Sequence, residues 1–244
     1  MTSVVALAAP LIGLAGLLLF VLGVVAARFS WLPPLPAFLL AIGVGLVLCG
    51  ALALVFGIVG IVRTLPATHR TGAPQAWAGA LMGAGMLLSL YLLSPAGGTV
   101  PIHDISTDLS DPPRYDALAR ASANRDRDLS YPHGPADTAE LQREHYPDIV
   151  TIDVNRPPAE TLARVEDAAR ALGWTMVEVD EASGRIEAYD TTSLFRFVDD
   201  VVVRVRPADG GGSLVDVRST SRVGQSDLGA NAERIRALRD ELLD

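Results

Sequence analysis

Lysine is absent from this chain of 244 residues, and cysteine occurs once, at Cys49. A lone thiol excludes a disulfide scaffold. All 20 basic residues are Arg, a habit that fits GC-rich coding better than any site. Acid is missing from a whole stretch: none of the 28 Asp and Glu lies within residues 1–97, which carry only Arg28, Arg63 and Arg70. The remainder sets 17 Arg against those 28 acids, a formal charge of −11. An acidic domain repels a phosphate backbone, so nucleic acid is not expected as a partner.

What is present is apolar. Half of the chain is hydrophobic and the mean hydropathy is +0.32. A helix needs about 20 apolar residues to cross a bilayer, and Val4–Ala27, Leu35–Val62 and Ala76–Leu93 meet or approach that length. Trp31, Pro33 and Pro34 break the first linker, and Pro66, Gly72 and Pro74 the second. Trp77 and Tyr91 mark the ends of the third run.

Arg63 and Arg70 outweigh Arg28, so the positive-inside rule predicts a cytoplasmic second linker. The expected arrangement is a multi-pass protein of the inner (cytoplasmic) membrane, N-terminus inside, with the C-terminal domain outside, in the periplasm. A cleavable signal peptide ending near Val25 and Ala27 is the other reading of the first run. That run is longer than the roughly 7–15 residues of a signal h-region and has no basic segment before it. No ionisable residue lies inside a span, which disfavours transport and leaves an anchor in the bilayer.

In the second span Ala41, Gly45, Cys49, Ala53 and Gly57 recur every four residues, a ridge on which a helix can approach closely. Gly79 and Gly83 repeat it in the third. The ridge serves packing among the three helices, or contact with an envelope protein or a second copy. Cys49 is expected to be a filler.

Residues 98–137, rich in Pro, Gly, Asp and Ser, read as an extended tether or wrapping segment between the 1–97 anchor and a 138–244 domain. A short helix is expected over Thr138–Tyr146. From Ile149 the pattern turns regular. A strand at Ile149–Val154 precedes a helix opened by Pro157 and Pro158, striped with Leu162, Val165, Ala169 and Leu172, and stopped at Gly173. Hairpins follow at Trp174–Asp180 with Arg185–Thr191, where Val177 and Val179 face with Ile186 and Ala188, and at Val198–Arg206 with Ser213–Val223. Setting Val201, Val203 and Val205 against Ser219, Val217 and Val215 puts Arg204 opposite Asp216. A last helix from Asp227 buries Leu228, Ala232, Ile235, Leu238 and Leu242, with Ser226 or Asp227 as N-cap. The expected fold is three transmembrane helices and then an α+β domain, an antiparallel sheet of about five strands with two main helices on one face.

Several runs carry more than periodicity. Pro101-Ile102-His103-Asp104-Ile105-Ser106-Thr107-Asp108, Tyr146-Pro147-Asp148-Ile149, Gly184-Arg185-Ile186-Glu187-Ala188, Asp199–Val205 and Asp216–Gly229 resemble, in order, the bacterial and plant family called domain of unknown function 1499. The resemblance covers about residues 99–243 and implies an envelope or membrane-associated protein without an established activity. Leu194-Phe195-Arg196-Phe197-Val198 departs from it, since the family often has a Lys there.

Two groups of residues could carry chemistry. His103 with Asp104, Asp108 and Asp111 offers an imidazole beside carboxylates, for acid–base work by His103, Asp104 and Asp108. Its spacing fits no metal motif, and neither a metal nor a cofactor is expected. The other group is the polar face of the last hairpin, where Arg204, Arg206, Arg218 and Arg222 alternate with the valines and suit carboxylate or phosphate. Ser226, Asp227 and Asn231 add a helix N-terminus to that anion-binding set. The leading reading is a non-enzymatic envelope module binding a protein or an anionic ligand. The alternative is a membrane-tethered hydrolase or lyase built on His103, in which His103 meets the Ser226-Asp227 turn in one pocket.

Overall fold

Apolar side chains all round a helix leave no amphipathic preference, and the chain forms three such helices: α1 (Val4–Arg28), α2 (Pro34–Arg63) and α3 (Ala73–Leu93). At 25, 30 and 21 residues, all three are long and apolar enough to cross a membrane. The computed structural model describes residues 2–93 and 100–243, and they divide into two units, one holding these helices and the other the sheet. The start of the expected tether, residues 94–99, lies outside the described residues.

Within the helical unit, the small residues are where the helices touch. Added Cβ atoms would overlap Ala80 at Gly57, Ala9 at Gly79, and Gly50 with Leu54 at Gly83. At Gly45 one would stand 2.9 Å from the Gly16 carbonyl oxygen. Ala41 and Ala53 are fully buried, and Cys49 Cβ faces Gly16. The ridge of α2 is thus occupied by the protein's own α1 and α3. Residues Leu39–Leu48 of α2 are wound as a π-helix.

The second unit has six strands: β1 (Asp104–Ser106), β2 (Ile152–Val154), β3 (Thr175–Asp180), β4 (Arg185–Thr191), β5 (Val198–Pro207) and β6 (Ser213–Ser221). Four antiparallel neighbours run β6-β5-β4-β3, and β1 and β2 share the far edge of β6, β1 at Arg218–Thr220 and β2 at Ser213–Val215. The predicted register holds, with Val201 opposite Ser219, Val203 opposite Val217 and Arg204 opposite Asp216. One face packs on α6 (Pro158–Ala171) and α7 (Ala230–Leu243). Its core joins Val201, Val203, Val205, Val215 and Val217 to Leu162, Val165, Ile235 and Leu238. Pro157 and Pro158 open α6, where a missing N–H is harmless, and Gly173 ends its turn with φ at +84°.

Four sequence expectations change. A bulge between Met176 and Glu178 turns Val177 outward, 40% exposed, so Met176 and Val179 face Ala188 and Ile186. The first regular strand is Ile152–Val154, and the sixth strand, β1, lies in the stretch read as a tether. The last helix starts at Ala230, which leaves Leu228 out of its stripe, left-handed at φ +56° and 52% exposed. The unit also holds two short α-helices, α4 (Ala117–Arg120) and α5 (Thr138–His145), and a 3-10 turn at Ser122–Asn124.

Candidate functional site

Alternation along β5 and β6 sends Arg204, Arg206, Asp216, Arg218 and Thr220 to the face opposite the valines. The sequence predicts an open Arg stripe there. That expectation is corrected: residues 107–133 cross the face, and Arg218 is 1% exposed. The physical reason is acid on the same face. Asp104, Glu187, Asp200 and Asp216 are each fully buried, and a buried charge persists only when paired.

The pairings are specific. Arg218 grips Asp104 with Nε to Oδ1 at 2.9 Å and Nη2 to Oδ2 at 2.8 Å, a bidentate fork. Its Nη2 also donates to the carbonyls of Leu129 and Ser130, and its guanidinium lies 5.0 and 5.3 Å from the Tyr115 and Tyr131 ring centres. Asp200 accepts from Arg222 at 2.7 Å, Arg127 at 2.6 Å and Asn124 at 3.0 Å. Asp216 accepts from Arg204 and Arg206, both at 2.9 Å, and from Thr151 at 2.6 Å. Arg204 reaches on to Asp111 at 2.7 Å and Asp108 at 3.4 Å. Arg127, Asp111, Tyr115 and Tyr131 belong to the crossing segment, so these bonds fasten that segment to the sheet.

Glu187, which the sequence does not single out, accepts the backbone N–H groups of Asp116, Ala117 and Leu118 at 2.8, 3.1 and 2.7 Å. It caps α4 from a strand about 70 residues away, in the role a local N-cap side chain normally fills. Its visible signal is an acid at an alternating strand position beside Ile186 and Ala188.

The remaining candidates are also committed. Ser226 Oγ donates to the Val100 carbonyl, and Asp227 accepts from the N–H groups of Gly229 and Asn231, capping α7. Burial raises the Asp227 carboxyl above its ordinary range. Asn231 joins the Ser219 hydroxyl to the His103 carbonyl. The backbone of His103 therefore adjoins this turn, while its ring packs edge-on against His133, 5.1 Å between centres. His103 Nδ1 is buried without a hydrogen-bond partner. Of the carboxylates proposed to serve it, Asp104 holds Arg218 and the His133 N–H, and Asp108 holds Ser110 and the Asp111 N–H. Among the described residues no group of three or more His, Cys, Asp or Glu is placed to hold a metal.

Where the crossing segment leaves the sheet, two hollows open. One of about 610 Å³ is lined by Leu109, Pro112, Arg114, Leu129 and Tyr131, with Arg218 beneath. Another of about 260 Å³ lies between Arg114, Arg185 and Arg204. Arg114 borders both and is exposed; among the described residues it has no ion pair. Tyr131 Oη is buried without a partner, and burial pushes its pKa up to about 12.

An antiparallel α+β sheet strapped by its own N-terminal segment and preceded by three membrane-length helices defines a membrane-anchored α+β protein. The model of the family described as protein of unknown function DUF1499 matches residues 104–242, more than half of the chain, which therefore belongs to that family. No curated protein matches the chain. The matched region begins at β1, so the strapping segment falls within it.

Proposed function

We propose that the protein presents its α+β unit on the outer side of a cytoplasmic membrane as a non-enzymatic binding module at the cell envelope. The orientation rests on Arg63 and Arg70 against Arg28. The binding role rests on one observation: Arg114 stands exposed and, among the described residues, unpaired between two hollows, on a face where Arg204, Arg206, Arg218 and Arg222 are each held by a carboxylate. A volume near 610 Å³ is within the range of small-ligand pockets, and a free guanidinium at its rim selects an anionic group. In this reading Arg218 is the floor of the site. Arg204, Arg222, Ser226, Asp227 and Asn231 shape it by holding the segment and the α7 turn in place.

Two experiments test the proposal. A photo-crosslinker at Arg114 in living cells is expected to yield discrete adducts that a crosslinker at exposed Arg170 does not; identical adducts, or none, overturn the binding role. A periplasm-active reporter fused after Asp244 is expected to be active, and activity only from a cytoplasm-active reporter overturns the orientation.

A further inference from the structure

In the β6–α7 loop, residues 222–229, Arg222, Ser226 and Asp227 are half-buried, while Val223, Gln225 and Leu228 are exposed. Ser226 Oγ is bound to the Val100 carbonyl and the Asp227 carboxylate to two N–H groups of the turn. Arg222 is held by Asp200. What the loop offers to its surroundings is Val223, 42% exposed, and Leu228, 52% exposed, with the uncharged amide of Gln225 between them. Leu228 is also held in left-handed backbone at φ +56°, a conformation a leucine adopts only when its surroundings impose it.

The same turn is joined to the point where the chain enters this unit. Besides the bond from Ser226 to Val100, the Asp227 N–H donates to the Ile102 carbonyl. Val100 is the seventh residue after Leu93, the last of α3. Seven residues reach about 25 Å at most, so a bilayer that holds α3 stays within reach of this loop on either side of the membrane. The exposed side chains of the loop, Val223, Gln225 and Leu228, are uncharged, so its complement is not an anionic headgroup.

We propose that Val223 and Leu228 rest in the acyl–headgroup boundary of the lipid surface into which the protein is anchored. Two side chains of this size would not capture a membrane from solution. The covalent link makes the encounter intramolecular, and a weak contact is then populated. This inference does not depend on the anion-binding proposal.

The test uses the full chain with Cys49→Ala, in phosphatidylcholine nanodiscs, carrying an environment-sensitive fluorophore on Leu228→Cys or Val223→Cys. Asp209→Cys, in the loop at the other end of β5, is the control, and Gln225→Cys reports on the same loop should a Leu228 variant misfold. Blue-shifted emission with at least threefold stronger quenching by lipid spin-labelled high on the acyl chain than at position 209 is the expected result. Water-like emission with quenching equal to the control overturns the proposal. Blue-shifted emission without lipid quenching overturns it too, because the loop is then covered by protein.

Discussion

Arg218 and Asp104 lie 114 residues apart in the chain and meet through two parallel hydrogen bonds, at 2.9 and 2.8 Å, with 1% and 0% of their side chains exposed. Removing one partner leaves an uncompensated charge in the interior, at a cost of about 3–5 kcal/mol. Asp104→Asn is therefore expected to lower the urea midpoint of the α+β unit sharply. Pairing Asp104→Leu with Arg218→Met should recover most of the loss, because two apolar groups need no counter-charge. Near-UV circular dichroism of the full chain in detergent reads both.

Acid should loosen the strapping segment. Burial first, and then the neighbouring His103, hold the His133 imidazole below its ordinary pKa near 6.5. Arg127 and Arg218 oppose its charge as well, and Asp104 alone favours it. A lowered folded pKa means that the unfolded state binds the proton more readily. The stabilisation is thus complete above about pH 6.5 and is lost as pH falls from there toward the folded value. Between pH 7 and pH 5 hydrogen exchange across residues 128–135 is expected to slow by less than the base-catalysed intrinsic rate does, so that protection of the segment falls. His133→Gln should flatten that dependence.

The helical unit predicts a steric effect. A Cβ at Gly79 would overlap Ala9, and one at Gly57 would overlap Ala80. Overpacking of this kind costs about 1–3 kcal/mol. Gly79→Val should lower the temperature at which the one thiol, Cys49, reacts with a maleimide dye in detergent. Gly85→Val, where an added Cβ meets nothing within 4 Å, should leave that temperature unchanged.

What the sequence showed and what it hid have one physical distinction. Val201, Val203 and Val205 face Ser219, Val217 and Val215 because a period of two and one burying face admit a single register. The spans and α6 were equally legible, since their signals are local. The covering of the Arg face was not, because alternation states which side Arg218 takes and is silent on what lies above it. Its partner, Asp104, belongs to a strand of three residues, too short for any periodicity. Val177 was misplaced for a similar reason: a one-residue bulge inverts alternation without a compositional mark. The acid stretch that made Asp104 and Asp108 resemble a catalytic group is the same stretch that neutralises the Arg face, and only the fold separates the two uses.

Strand β6 has a consequence in time as well as in space. Its far edge is completed by β1 and β2, and β1 is made long before its partner. At about 5–20 residues per second, the 114 residues between Asp104 and Arg218 delay their meeting by roughly 6–23 s during synthesis. Through that interval the first strand and its carboxylate have no partner strand to close on. The unit can complete itself only when its last hairpin arrives, so a chain cut short before β6 would leave a membrane-anchored, unpaired end.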